Sequence, residues 1–92
     1  MINNTIEKIE SRKANIAIIG LGYVGLPLAL RFIDQGYNVV GFDNNKLKIR
    51  KLIKGKSYIN HITNESISSS ILAGFKVTTN FEKIASSNVI II

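Results

Sequence analysis

The feature that most constrains this chain is a glycine-rich turn, Gly20-Leu21-Gly22-Tyr23-Val24-Gly25, set between an apolar run and a helix-forming run. The segment from Ala14 to Ile19 is apolar and rich in isoleucine, the pattern of a strand buried on both faces. Each glycine of the turn has a separate physical job. Gly20 permits the tight turn out of the strand, and Gly22, lacking a Cβ, lets backbone come close to a pyrophosphate. Gly25 allows the new helix to lie against the strand it has just left. The N–H groups at the helix start, around Tyr23 and Val24, have no intrahelical acceptors, and the helix dipole adds partial positive charge there. Such a turn suits two negatively charged phosphates.

A GxGxxG pattern alone is a weak signal, so its context carries the argument. A second strand, Asn38 to Phe42, ends in Asp43. That acid lies about 20 residues beyond the turn, where a dinucleotide fingerprint places a carboxylate to accept hydrogen bonds from the adenosine ribose. A carboxylate at this place also repels a 2′-phosphate, which favours NAD over NADP; Lys46 and Lys48, close by in sequence, weaken that preference.

The 92 residues allow one small domain, and 46% hydrophobic against 20% charged residues describes a globular chain, not a disordered one. No apolar run is long enough to cross a bilayer as a helix, so no membrane partner is expected. There is no cysteine, which removes disulfides, thiolate metal sites and a cysteine nucleophile from the chemistry of this chain. Glu7, Lys8, Glu10, Arg12 and Lys13 are incompatible with the apolar core of a signal peptide, so a cytoplasmic location is expected. The formal net charge is +6, and much of the excess sits in Lys46, Lys48, Arg50, Lys51, Lys54 and Lys56. This run reads either as a solvated helix face or as electrostatic attraction of a phosphorylated cofactor and substrate, with Lys48 as a specific contact. Nucleic acid is not expected, because the run has no interleaved aromatic residues.

In chain order, residues 1–13 form a leader: either a short helix capped by Asn4, with Ile2, Ile6 and Ile9 on one face, or a disordered extension. A helix is expected from Val24 to Gln35, with Leu28, Ala29, Phe32 and Ile33 toward the sheet, Pro27 in its first turn and Gly36 at its end. Tyr23 reads equally as a rim residue beside the pyrophosphate or as an apolar lid on the first turn. A second helix is expected from Lys46 to Lys54, with Ile49, Leu52 and Ile53 inward and Gly55 beyond it. The loop from Lys56 to Thr63 holds the lone His61, a poor metal candidate, and is pinned by Tyr58, Ile59 and Ile62. Asn64 is expected to cap a helix through Ala73, followed by Gly74 and a strand from Phe75 to Thr78. Asn80 caps a further turn, and Asn88 to Ile92 reads as a last buried strand. Alternating strands and helices predict a Rossmann-like α/β domain over residues 14–92, a parallel sheet in the order 3-2-1-4, truncated after its fourth strand. A chain that stops at such a strand is expected to be the front of a longer protein, and its exposed sheet edge to promote association.

The residues also resemble a known family. Ile19-Gly20-Leu21-Gly22-Tyr23-Val24-Gly25-Leu26-Pro27-Leu28, then Gly41-Phe42-Asp43 with Lys48 five residues later, and the pattern from Thr79 to Ile92 are similar to the N-terminal part of the nucleotide-sugar 6-dehydrogenases, the UDP-glucose and GDP-mannose dehydrogenase family. The resemblance implies that Val24, Asp43 and Lys48 contact NAD, the last two at the adenosine ribose. Ser57-Tyr58-Ile59-Asn60-His61-Ile62 is similar to a loop of the UDP-N-acetylglucosamine branch, with UDP-glucose as the other substrate. The implied reaction oxidises the sugar C6 alcohol to a carboxylate in two hydride transfers to NAD, through a thiol-bound intermediate. Family members continue into a Cys-Val-Pro-Thr-like segment and then a catalytic cysteine and lysine, none of which is in this sequence. The resemblance therefore implies a cofactor-binding portion without catalytic residues, from a parent that binds its UDP-sugar mainly through later segments and is a homo-oligomer. The alternative is a non-catalytic NAD-sensing regulatory module of the same fold.

Overall fold

The computed structural model describes residues 14–92. Four parallel strands form one sheet: β1 (Asn15–Ile19), β2 (Asn38–Phe42), β3 (Lys76–Thr78) and β4 (Val89–Ile91). Their spatial order is β3-β2-β1-β4, as expected from the sequence. β1 is central because its middle is apolar on both faces: Ile16, Ala17 and Ile18 are all buried. Pairing of Ile16 with Val39 on one side and Val89 on the other places the C-terminal ends of β1, β2 and β4 at one edge of the sheet, where the glycine turn begins. The start of β4 is tied to β1 twice, by the Asn88 N–H to the Asn15 carbonyl and by the Asn15 N–H to Asn88 Oδ1.

Three α-helices connect the strands: α1 (Gly25–Asp34), α2 (Lys46–Ile53) and α3 (Asn64–Leu72). α1 packs on β1 and β2, α2 on β3, and α3 against both other helices. Each helix ends in the same way. A glycine at positive φ (Gly36, Gly55, Gly74) donates its N–H three residues back, while the next residue donates five residues back, a Schellman motif that satisfies otherwise orphaned carbonyls. The N-termini differ. Asn45 Oδ1 accepts from the Leu47 and Lys48 N–H groups and caps α2, whereas α1 begins at Val24 with no side-chain cap.

The structure corrects three local expectations. The cap of α3 is Thr63, whose Oγ1 accepts from the Ser66 N–H; Asn64 Oδ1 instead accepts from the Ser57 N–H and fastens the preceding loop. The inward stripe of α1 is Leu26, Ala29 and Ile33, with Leu28 and Phe32 only partly buried. Ile53 is 60% exposed instead of inward: the buried residues of α2 are Ile49 and Leu52, and Ile53, its last residue, borders an open cleft beside β3. Asn80 does cap a 3₁₀ helix, Phe81–Ser86, whose Phe81 ring packs on Phe42 at 5.7 Å. The predicted leader helix lies outside the described residues.

Packing at the turn separates two of its glycines. A Cβ built on Gly25 would stand 1.7 Å from the Gly20 carbonyl oxygen, whereas one on Gly22 would meet nothing within 4 Å. Gly25→Ala is therefore expected to cost about 3 kcal/mol or more, since backbone must shift, while Gly22→Ala stays within about 1 kcal/mol of the parent. Urea unfolding followed by circular dichroism checks both values.

Candidate functional site

The site is assembled where β1 and β2 end. Gly20 leaves β1 at φ +91° while its N–H still reaches the Phe42 carbonyl at 2.7 Å, so the turn starts in register with the neighbouring strand. Leu21 then drops its side chain into the core, fully buried. Space for it exists only because β2 has Gly41 alongside: a Cβ there would sit 2.8 Å from the Leu21 methyl groups. Fully burying a leucine contributes about 1.5–3 kcal/mol, which anchors the turn from below.

Asp43 is 9% exposed and holds the turn from the side. Its Oδ2 accepts the Leu21 N–H at 3.0 Å and its Oδ1 accepts the Asn45 N–H at 2.9 Å. The carboxylate expected to face a ribose thus also joins the glycine turn to the entry of α2. Each oxygen keeps a further lone pair, so these bonds leave acceptor capacity for a ligand hydroxyl.

Beyond Leu21 the backbone is open. Among the described residues, no acceptor takes the N–H groups of Gly22, Tyr23, Val24 or Gly25, and the first intrahelical bond runs from Leu26 to the Gly22 carbonyl. Together with the uncapped start of α1, these open donors have the arrangement that suits an anion. Tyr23 and Val24 are 78% and 79% exposed. Tyr23 is therefore at the rim, not a lid packed on the first turn. Gly22 and Tyr23 line two clefts. One, of about 350 Å³, runs over Gly20, Val24 and the end of β4 at Ile91 and Ile92. The other, of about 550 Å³, runs along α2 and includes Asn45, Lys48, Lys51 and Tyr58.

Lys48 is partly buried, its Nζ 5.6 Å from the centroid of the Tyr58 ring, in cation–π range. The Tyr58 hydroxyl donates to the Leu21 carbonyl at 2.5 Å. Burial first, and the nearby Asp43 charge second, push the Tyr58 phenol well above its ordinary pKa, so it stays a protonated donor. Tyr58 was legible in the sequence only as a loop anchor. Ile59 is buried in the anchoring role expected of it, and His61 is exposed. Lys46, Arg50, Lys51, Lys54 and Lys56 are exposed; the last four border the larger cleft.

Strand, glycine turn, uncapped helix and a carboxylate at the end of the second strand define the class: a dinucleotide-binding α/β domain. Residues 14–92 match the UDP-glucose/GDP-mannose dehydrogenase family, NAD binding domain, and the chain belongs to that family. It is 40% identical over 82 residues to the UDP-N-acetyl-D-mannosamine dehydrogenase of Pyrococcus horikoshii, covering 84% of this chain and 19% of that protein. It is 44% identical over 80 residues to the UDP-N-acetyl-D-glucosamine 6-dehydrogenase of Salmonella typhi, covering 87% of this chain and 18% of that protein. Among solved structures, the UDP-D-ManNAc dehydrogenase of P. horikoshii superposes with a TM-score of 0.75 at 37% identity, over 83% of this chain and 19% of the other. A ternary complex of GDP-mannose dehydrogenase from Pseudomonas aeruginosa gives 0.72 at 29% identity, over 84% and 19%. The chain thus spans about a fifth of the length of these relatives. The cofactor of this domain is NAD.

Asp43→Ala leaves the Leu21 and Asn45 N–H groups without their acceptor and is expected to cost about 2–4 kcal/mol, whereas Asp43→Asn keeps one acceptor oxygen and costs about half of that. Urea midpoints should therefore fall in the order parent, Asp43→Asn, Asp43→Ala.

Proposed function

We propose that this chain is the NAD-binding portion of a nucleotide-sugar 6-dehydrogenase, one that oxidises the C6 alcohol of a UDP-sugar to the uronic acid with two NAD. The observation that carries the reading is the open row of N–H donors from Gly22 to Gly25 beside Asp43, in a chain that belongs to this family. The space above Gly22, which a Cβ would enter without meeting protein, fits a pyrophosphate.

In this reading, the amides of Gly22, Tyr23 and Val24 and the start of α1 hold the two phosphates. Asp43 accepts from the adenosine ribose hydroxyls with its remaining lone pairs, and Lys48 stands at the same end of the cofactor. Gly20 and Gly25 act indirectly, by setting the turn and letting α1 approach it. When bound, NAD supplies the oxidant. The chain has no cysteine for the thiol step, so catalytic residues come from other segments of the parent enzyme, which also supply most of the grip on the sugar. UDP-N-acetylglucosamine is the proposed sugar, on the strength of the Ser57–Ile62 loop and the 44% identity to the S. typhi enzyme; UDP-glucose is the alternative. A cytoplasmic, homo-oligomeric parent that makes precursors for polysaccharides accords with this reading. Among the described residues no helix is long and apolar enough to cross a membrane.

Calorimetric titration of the 92-residue chain with NAD and NADP tests the site. Saturable binding that prefers NAD is expected, and Gly22→Ala should weaken it about tenfold or more by filling the pyrophosphate space, a loss of about 1.4 kcal/mol. A chain that is folded by circular dichroism and binds neither nucleotide would overturn the proposal.

A further inference from the structure

Leu21 is held by both of its backbone polar groups. Its N–H goes to Asp43 Oδ2, and its carbonyl accepts from the Tyr58 hydroxyl, which lies 37 residues on in the loop between α2 and α3. The Leu21–Gly22 peptide is planar and trans, so its carbonyl and its N–H point in opposite directions. Fixing the carbonyl therefore fixes the Gly22 N–H, which faces away from the Tyr58 hydroxyl and has no acceptor among the described residues. Without such a tether this peptide is less restrained, because Gly22 has no Cβ to restrict its φ. A flipped peptide would present a carbonyl oxygen to the anion instead of a donor. The tether also comes with a cation: the Tyr58 ring lies under the Lys48 ammonium.

We infer that Tyr58 is a positioning residue for the phosphate cradle, its hydroxyl locking the Leu21–Gly22 peptide so that the Gly22 N–H faces the cofactor pyrophosphate. The inference rests on the cofactor reading above and adds to it a residue from outside the glycine turn. The lock is always engaged, because the phenol remains protonated throughout the neutral range.

The test compares the 92-residue chain with Tyr58→Phe, which keeps the ring under Lys48 and removes only the hydroxyl. Two probes are titrated, ADP-ribose, which has the pyrophosphate, and adenosine, which does not, with binding followed by ¹⁵N-edited NMR. Tyr58→Phe is expected to weaken ADP-ribose about 3- to 10-fold while adenosine stays within about twofold. Unchanged ADP-ribose affinity overturns the inference, and so does an equal loss for both probes, the mark of a general structural defect. If Tyr58→Phe fails to fold, the parent chain decides: the Gly22 amide resonance should move strongly with ADP-ribose and not with adenosine, and a resonance indifferent to ADP-ribose refutes the role. A folded parent that binds no ADP-ribose at all brings down the cofactor reading itself, an outcome visible before any variant is made.

Discussion

The structure depends on the hydrogen bond from the Leu21 N–H to the Asp43 carboxylate. β1 and β2 are parallel neighbours, and beyond the Gly20 N–H to the Phe42 carbonyl their ladder does not fix what the chain does once β1 has ended. The carboxylate at the end of β2 supplies that constraint, because a buried acceptor with two satisfied oxygens holds backbone more rigidly than a neutral loop contact would. Since the same carboxylate takes the Asn45 N–H, the start of α2 is placed relative to the glycine turn. Lys48, in the first turn of α2, inherits its position from that pair.

Three supports converge on one residue. Leu21 is held by Asp43 at its N–H, by Tyr58 at its carbonyl and by the space beside Gly41 at its side chain. The next four N–H groups are left open among the described residues. Rigidity immediately before an unsatisfied stretch is what an anion site requires, since donors that are already oriented lose little entropy when they bind. The absence of a side-chain cap on α1 belongs to the same logic. In the proposed reading a cap would occupy the donors offered to the cofactor; the other two described α-helices are capped by Asn45 and Thr63.

The lysine run has a mixed character. Lys48 is drawn in over Tyr58, while its neighbours on α2 stay in solvent along the larger cleft. Their positive potential favours the approach of phosphorylated ligands without any one of them being fixed in place. On the other flank, Ile90 and Ile92 leave an apolar surface at the end of β4, beside the smaller cleft.

Much of this was written locally. The apolar run of β1, the spacing of Gly20, Gly22 and Gly25, the acid at position 43 and the glycines ending the helices each act over a few residues, so the sequence alone determined the element order, the strand order and the glycine turn. Where neighbouring residues offered the same chemistry, the sequence was less decisive. Thr63 and Asn64 are both good caps, and the choice went to Thr63 because Asn64 had a partner at Ser57. Ile53 followed the helical period, yet it sits at the last position of α2 and borders an open cleft. Only tertiary structure brought Tyr58 to Leu21 and Gly41 beneath it. Those contacts span 37 and 20 positions and depend on how the loop and the sheet close in space, and no local pattern encodes such a distance.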